Sequence, residues 1–307
     1  MRLGKIRLLL AVTSSLFLAG SLAQAADSPS SGHYHRTART HHVAAVPSDG
    51  GPGLRSTAAL VLDETHSSVL YSRHADVPMP IASITKLMTV IIVTEAGQPL
   101  DERLQITEED CSLGKGASSR LRVGTVLTRR DLIHLALMAS ENRAAHALGR
   151  NYPGGVDAFA AAMNEKAHAL GMRNSHFVEP TGLDSDNVAS PEDLSKLVLA
   201  ASENPIIRDY STDSRYAVRV GRRLVEFRNT DALVWNPSWN IVVQKTGYIS
   251  EAGRCLVMKA LIDDRSIVIV LLNGYGKNTR IADARRIKKW MDAQVIDRDP
   301  APAANKT

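Results

Sequence analysis

Cysteine is nearly absent: the 307 residues hold only Cys111 and Cys255. They form no CxxC pair and no cluster with histidine, so a structural zinc site has no support, and a chain this long buries a core without a disulfide scaffold. Glycine-rich phosphate loops, paired histidines on a helix and internal repeats are missing too. Nucleotide-loop, helix-borne zinc and solenoid readings fall with them. No apolar run reaches the ~20 residues of a membrane span. What remains is a composition with 44% apolar and 22% charged residues, which excludes collagen-like, coiled-coil and wholly disordered chains.

The formal charge of +5 points toward nucleic acid until its location is considered. Arg2, Lys5 and Arg7 precede the mostly apolar Leu8 to Ala19, and Ala23-Gln24-Ala25 supplies the small residues of a cleavage site. Residues 1–25 therefore read as a cleaved secretory signal, with Thr13, Ser14 and Ser15 interrupting any anchor. Removing three of the 37 basic residues leaves 34 against 32 acids, a mature charge of only +2. The expectation is an exported protein with no nucleic-acid partner and no membrane anchor after cleavage. Export would let Cys111 and Cys255 pair if their geometry allowed; the apolar run at Cys255 and the loop pattern at Cys111 favour two free thiols.

Residues 26–53 are rich in Ser, Pro, Gly and Ala and hold His33, His35, His41 and His42. They read as a flexible linker rather than a metal site. Residues 293–307 read as a disordered tail. Between them, Thr57 to Asp63 and Ser68 to Arg73 predict a hairpin. Apolar residues at helical spacing predict a helix from Ser83 to Gly97 with one buried face. Thr128 and Asp131 predict a capping-box start for a helix through Met138, with further helices over Asn142 to Leu148 and Val156 to Leu170. Ser190-Pro191-Glu192-Asp193 opens another. Strand patterns return at Tyr216 to Val220, Leu224 to Phe227, Ile241 to Thr246, Cys255 to Ile262 and Ser266 to Leu272, and a helix closes the chain over Thr279 to Met291. Strands at both ends and helices between them predict one sheet with a helical insertion and a cleft between the two parts.

Three short motifs carry chemistry. In Ser83-Ile84-Thr85-Lys86 the hydroxyl and the amine, three residues apart, share a helix face, and crowding by Ile84, Met88 and Val90 would disfavour the charged amine. Ser83 and Lys86 can then act as nucleophile and base, near a helix N-terminus that favours an oxyanion. The bland alternative is a capping Ser and a solvated Lys. Ser140-Glu141-Asn142 lies at a helix junction, where short polar residues ordinarily cap; a functional Ser140 would relay a proton to a leaving amine, and Asn142 would bond substrate or Lys86. In Lys245-Thr246-Gly247 a glycine within a strand suggests close approach by an extended peptide, with Lys245 and Thr246 facing its carboxylate; otherwise these are solvent-facing residues on an edge strand. Ser83 and Ser140 are 57 residues apart, Ser140 and Lys245 105. That order of SxxK, Ser-x-Asn and KTG is the recorded signature of penicillin-binding proteins and class A β-lactamases.

On these motifs, and on the stretches Pro80 to Thr89, Leu135 to Ala145, Tyr152 to Gly155, Phe177 to Leu183 and Trp239 to Met258, the sequence resembles the low-molecular-mass penicillin-binding proteins. These are serine peptidases of the D-alanyl-D-alanine carboxypeptidase type, and the resemblance is to their D-alanyl-D-alanine endopeptidase branch. It implies an α/β (α+β) DD-peptidase/β-lactamase-like domain over 54–292: a five-stranded antiparallel sheet flanked by helices, with an all-helical subdomain inserted at about 98–210. It further implies that Ser83 forms an acyl-enzyme at a D-Ala carbonyl, that Lys86 accepts its proton and that Ser140 helps deliver that proton to the amine. Asn142, Lys245, Thr246, Gly247 and Tyr248 would hold substrate, with the N–H groups of Ser83 and Tyr248 as oxyanion hole. Arg280 would bind a terminal carboxylate or else be a surface residue at a helix start. Implied partners are peptidoglycan stem peptides, with β-lactam antibiotics as covalent inhibitors, no cofactor or metal, and a periplasmic location. The chain's end soon after Met291 fits the soluble endopeptidase branch.

Three rivals follow: a D-Ala-D-Ala carboxypeptidase, a β-lactamase and a non-catalytic peptidoglycan binder. A β-lactamase would need a water-activating carboxylate. Glu179, 39 residues after Ser140, is a candidate, although Glu179-Pro180-Thr181-Gly182-Leu183 lacks the E-x-x-L-N pattern. A binder would have no need of Lys86 beside Ser83.

Overall fold

The computed structural model of the protein describes residues 50–112 and 119–298, with side chains as far as 293. The signal, most of the linker and residues 299–307 lie outside the described residues. Along the chain come β1 (Ser56–Asp63), β2 (Ser68–Arg73) and β3 (Met79–Pro80), then a 3₁₀ turn at Ala82–Ile84 that leads into α1 (Thr85–Glu95). The middle holds β4 (Arg103–Gln105), β5 (Val126–Thr128), α2 (Arg129–Met138), α3 (Asn142–Arg150), α4 (Gly155–Ala169), β6 (Val188–Ala189), α5 (Pro191–Glu203) and α6 (Pro205–Thr212). The last part is β7 (Arg215–Val220), β8 (Arg223–Arg228), β9 (Asn240–Ile249), β10 (Gly253–Ile262), β11 (Arg265–Gly274) and α7 (Thr279–Arg298).

Both chain ends build one five-stranded antiparallel sheet in the order β2-β1-β11-β10-β9. Its central strand β11 carries the unbroken apolar run Ile267 to Leu272, fully buried, because helices cover both faces. Alternate residues divide between them. Ala58, Leu60, Val257, Val268 and Val270 share a core with α1 and α5, while Ala59, Val61, Met258, Ile267 and Ile269 pack with Ala284, Ile287 and Met291 of α7. Each such Ile, Val or Leu contributes about 1.5–3 kcal/mol on burial. β9 lies at the sheet edge, and its other side runs past the 3₁₀ turn.

The capping box at Thr128 and Asp131 is present, as are Ser190 capping α5 and Pro191 in its first turn. Several expectations change. Helix α1 is buried on every side, Thr85 through Val93, because it runs through the middle of the molecule between the sheet-covering and inserted helices. Within the expected insertion, α5 returns to the sheet, burying Leu194, Leu197 and Val198 with the core that β11 shares. Helix α6 did not announce itself; Asn204 caps it, accepting from the N–H groups of Ile206 and Ile207. Helix α7 runs past Asp292 to Arg298, because no Gly or Pro interrupts the sequence there. At the other boundary, Pro52 is buried and Trp290 Nε1 donates to the Gly50 carbonyl at 2.8 Å, so the chain is already docked before Leu54. Cys111 and Cys255 are both free.

Candidate active site

Ser83 lies in the 3₁₀ turn ahead of α1, one step earlier than the sequence pattern places it. The turn is strained at Ala82, whose φ of 48° belongs to the left-handed region. Two glycines make room for it. A Cβ on Gly247 would come within 2.8 Å of the Ile81 carbonyl oxygen and 3.1 Å of Ala82 Cβ, and one on Gly182, with φ of 77°, would collide with the Ala82 carbonyl. The neighbour that demands a glycine in β9 is thus the chain's own turn at Ile81 to Ser83, where an incoming peptide was expected. This contact sets residues 81–82 beside Gly247, each immediately before one of the two positions, Ser83 and Tyr248, expected to supply the oxyanion hole.

Lys86 points back to Ser83 from the first turn of α1. Its Nζ donates to Ser83 Oγ at 2.8 Å, to Asn142 Oδ1 at 2.6 Å and to the Thr181 carbonyl at 2.5 Å. The side chain is fully buried, and burial pulls the amine down to about 7 from its ordinary 10.5, against the opposing pull of the Glu179 and Glu141 charges. A substantial fraction is therefore neutral near pH 7, and a neutral amine 2.8 Å from a hydroxyl is in position to take its proton. A solvated lysine is ruled out.

Ser140 sits in the short link between α2 and α3, also left-handed at φ of 57°. Lys245, fully buried on β9, donates to Ser140 Oγ at 2.9 Å and to the Thr246 carbonyl at 2.9 Å. Its amine is held well below the usual lysine range by burial first, then by the Lys86 and Arg280 charges. Thr246 Oγ1 and Thr230 Oγ1 are 2.7 Å apart, and Thr230 N–H donates to the Met138 carbonyl at 3.1 Å, so β9 is tied to the end of α2. Tyr248 is half exposed at 51%. Three segments distant in sequence thus meet through two buried lysines, each bridging two motifs. Strained backbone at Ala82 and Ser140 on either side of that junction is the pattern of a preorganised site.

Arg280 is no free surface residue at a helix start: it is half-buried in α7, and its Nη1 donates to the Gly247 carbonyl at 3.1 Å. Burial, then the nearby Arg254, lowers its pKa. Glu141, the variable middle residue of its motif, is buried with its carboxyl pushed up. Burial there outweighs the Ser119 hydrogen bond and the Lys86 charge.

Glu179 does different work from a water-activating base. Its Oε2 accepts from Thr181 N–H at 2.6 Å, and its Oε1 from Gly182 N–H at 2.5 Å, Leu183 N–H at 3.0 Å and Asn187 Nδ2 at 2.5 Å. Asp184 N–H lies at 3.5 Å from the same Oε1, so the carboxylate is held chiefly through that oxygen, with Oε2 taking one donor. Glu179 shapes the loop whose Thr181 carbonyl receives Lys86 Nζ and whose Pro180 carbonyl receives Thr89 Oγ1 at 2.7 Å. Sequence reasoning missed Thr181 and Pro180, because they act through backbone oxygens that any residue carries. Thr230 lacked a motif of its own.

Comparison with known proteins gives the same picture over most of the chain. Residues 44–276 match the family model described as D-alanyl-D-alanine carboxypeptidase. The D-alanyl-D-alanine endopeptidase of Pseudomonas aeruginosa is 47% identical over 252 residues, 81% of each chain. Its Escherichia coli counterpart is 42% identical over 263 residues, 85% of this chain and 84% of that one. Among solved structures, the Streptomyces K15 DD-transpeptidase superimposes with a TM-score of 0.73 at 25% identity, covering 78% of this chain and 98% of that one. With its sheet order, its paired lysines and this match from residue 44 to residue 276, the chain belongs to the D-alanyl-D-alanine carboxypeptidase family of serine hydrolases.

Proposed function

We propose that the protein is a periplasmic DD-endopeptidase that hydrolyses the D-alanyl cross-links of peptidoglycan through an acyl-enzyme on Ser83. The observation that carries this reading is the buried Lys86 amine, 2.8 Å from Ser83 Oγ and down at about 7. Ser83 Oγ attacks the D-Ala carbonyl as neutral Lys86 takes its proton. The oxyanion meets the N–H groups of Ser83 and Tyr248. The C–N bond then breaks, and the proton reaches the leaving amine through Ser140, whose Oγ is held by Lys245 Nζ at 2.9 Å. Asn142 positions Lys86, and Thr246, Gly247 and Tyr248 line the edge along which an extended peptide adds to β9. Water returns Ser83 to its free state. Penicillin would be attacked at the same hydroxyl and stay attached, because Glu179 is engaged with the backbone of its own loop and with Asn187 rather than set to activate a clearing water; this disfavours the β-lactamase reading.

Cross-linked muropeptide dimers and uncross-linked pentapeptides, incubated with the protein and followed by mass spectrometry, test the reading. Dimers should fall to monomers and a Ser83→Ala variant should leave them intact. Persistence of dimers with the native protein overturns the assignment, and loss of terminal D-Ala from pentapeptides alone moves it to a carboxypeptidase. Export is tested by the N-terminus of the mature protein, expected to begin at Ala26.

A further inference from the structure

The hairpin of β7 and β8 carries Arg215, Arg219, Arg222, Arg223 and Arg228 against a single acid, Glu226. Glu226 is occupied: its Oε1 is 3.3 Å from Arg228 and 3.8 Å from Arg215. Facing the hairpin is the segment Ser119 to Thr125. Arg120 is held there, its guanidinium 3.8 Å from the Phe227 ring centroid and donating to the Glu226 carbonyl at 2.5 Å. Between the two lies an open groove of about 570 Å³ lined by Arg122, Val123, Arg223 and Val225 among others. Among the described residues no ion pair or hydrogen bond engages the guanidinium groups of Arg122, Arg219, Arg222 or Arg223. Of these, Arg122 and Arg223 line the groove beside Arg120; unpaired cations facing one cavity repel one another, so the groove is favourable to an anion.

Its position says which anion. At its inner end Ser119 and Arg120 also line a smaller hollow of about 300 Å³ together with Ala139, Glu141, Phe227 and Arg228. Ala139 and Glu141 flank Ser140, the residue at which the proposed reaction protonates the leaving amine. The groove is therefore continuous, through Ser119 and Arg120, with the backbone on either side of Ser140, which on the proposed reaction is the side of the leaving amine. A carboxypeptidase releases a single amino acid there and has no use for it. Cleavage of a cross-link releases a whole second peptide whose free carboxylates must lie somewhere.

We propose that this arginine-lined groove binds the carboxylate-bearing peptide attached to the leaving amine and so favours cross-linked over uncross-linked substrate. This rests on the assignment of Ser83 as nucleophile. The test is a double charge reversal, Arg122→Glu with Arg223→Glu, assayed against a dimer with free carboxylates and against the same dimer with its carboxylates amidated. For the acidic dimer kcat/KM should fall about tenfold or more, chiefly through KM, and for the amidated dimer native and variant proteins should differ much less. The native KM for the acidic dimer should also rise with salt. An acidic dimer cut equally well by both proteins overturns the groove alone, as does an equal loss on both substrates, which marks a general defect. A dimer left intact by both overturns the endopeptidase reading and the groove with it.

Discussion

Replacing Glu179 with Gln separates the two things its carboxylate does, scaffolding and charge. The amide oxygen can keep the three donors that meet Oε1, from Gly182, Leu183 and Asn187. Its NH₂ then faces the Thr181 N–H, which now bonds Oε2 at 2.6 Å, and two donors cannot satisfy each other. One amide left without an acceptor costs about 1–3 kcal/mol, a fall in Tm of roughly 2–10 °C for a domain of this size. The charge acts on Lys86, whose pKa it raises. Without it, burial draws the amine below about 7. On the proposed mechanism the neutral amine is the active form, so acylation of Ser83 by a penicillin or a thioester, followed from pH 5 to 9, should rise through a midpoint near 7 in the native protein and at more acid pH in Glu179→Gln. On the acid limb each unit of that shift is worth about tenfold in rate. A midpoint that stays put or moves toward alkaline pH while Tm falls would show that the base does not feel this charge, and a native profile flat across the range would refute Lys86 as the base.

Gly247→Ala should damage acylation more than stability. The new Cβ, 2.8 Å from the Ile81 oxygen, displaces the Ser83 turn, costing about 1–3 kcal/mol and on the order of 10²-fold in rate if the shift nears 1 Å; rates within twofold of native would sink this account. Asp110→Asn should cost about 2 kcal/mol at pH 7. Burial alone would raise the Asp110 carboxyl, but His146, Arg150 and the Thr107 N–H hold it down at about 2 against an ordinary 3.8, a difference worth about 2 kcal/mol. That stability is present above pH 4 and is lost as pH falls toward 2, so the gap between native and variant in denaturant melts should close over that window; a gap unchanged at pH 2.5 contradicts it. Thiol counting should give one reactive cysteine in the native state and two in denaturant. Cys111 is half-buried, whereas Cys255 is fully buried with its thiol pushed up to about 11; two equally fast thiols in the native protein would place Cys255 wrongly.

The side chains at the centre were legible because each is a chemical type that the proposed reaction needs and each lies in a short motif. Ser83, Lys86, Ser140, Asn142 and Lys245 span more than half the chain and are joined by contacts of 2.6–2.9 Å. The sheet was legible too, through runs such as Ile267 to Leu272 with turn residues on either side. Strand pairs of two or three residues, β3 with β6 and β4 with β5, are too short to leave a period. Helix α6, at eight residues, begins immediately after α5 with a cap that reads equally well as a turn at Asn204-Pro205. The single buried face expected of α1 was a misjudged period: Thr85, Lys86 and Thr89 look polar, yet they are buried because the Thr hydroxyls bond the Ala82 and Pro180 carbonyls and Lys86 bonds Thr181.

The residues that escaped share a cause. Lys86 is useful only because it is both neutral and aimed, and a buried amine is held in one direction only if every acceptor around it is fixed. Asn142 Oδ1 and the Thr181 carbonyl accept the two N–H bonds of a neutral amine and leave its lone pair toward Ser83 Oγ; the Thr181 carbonyl is fixed by a loop that Glu179 ties through backbone N–H groups and Asn187 and that Gly182 lets approach Ala82. Gly247 admits the same turn from the side of β9. Two glycines and one loop-bound carboxylate therefore set where Ser83 and Lys86 stand. In the linear sequence a carboxylate that binds backbone looks the same as one that activates water, and only its distances to Thr181, Gly182, Leu183 and Asn187 distinguish a device for aiming Lys86 from a base for clearing an acyl-enzyme.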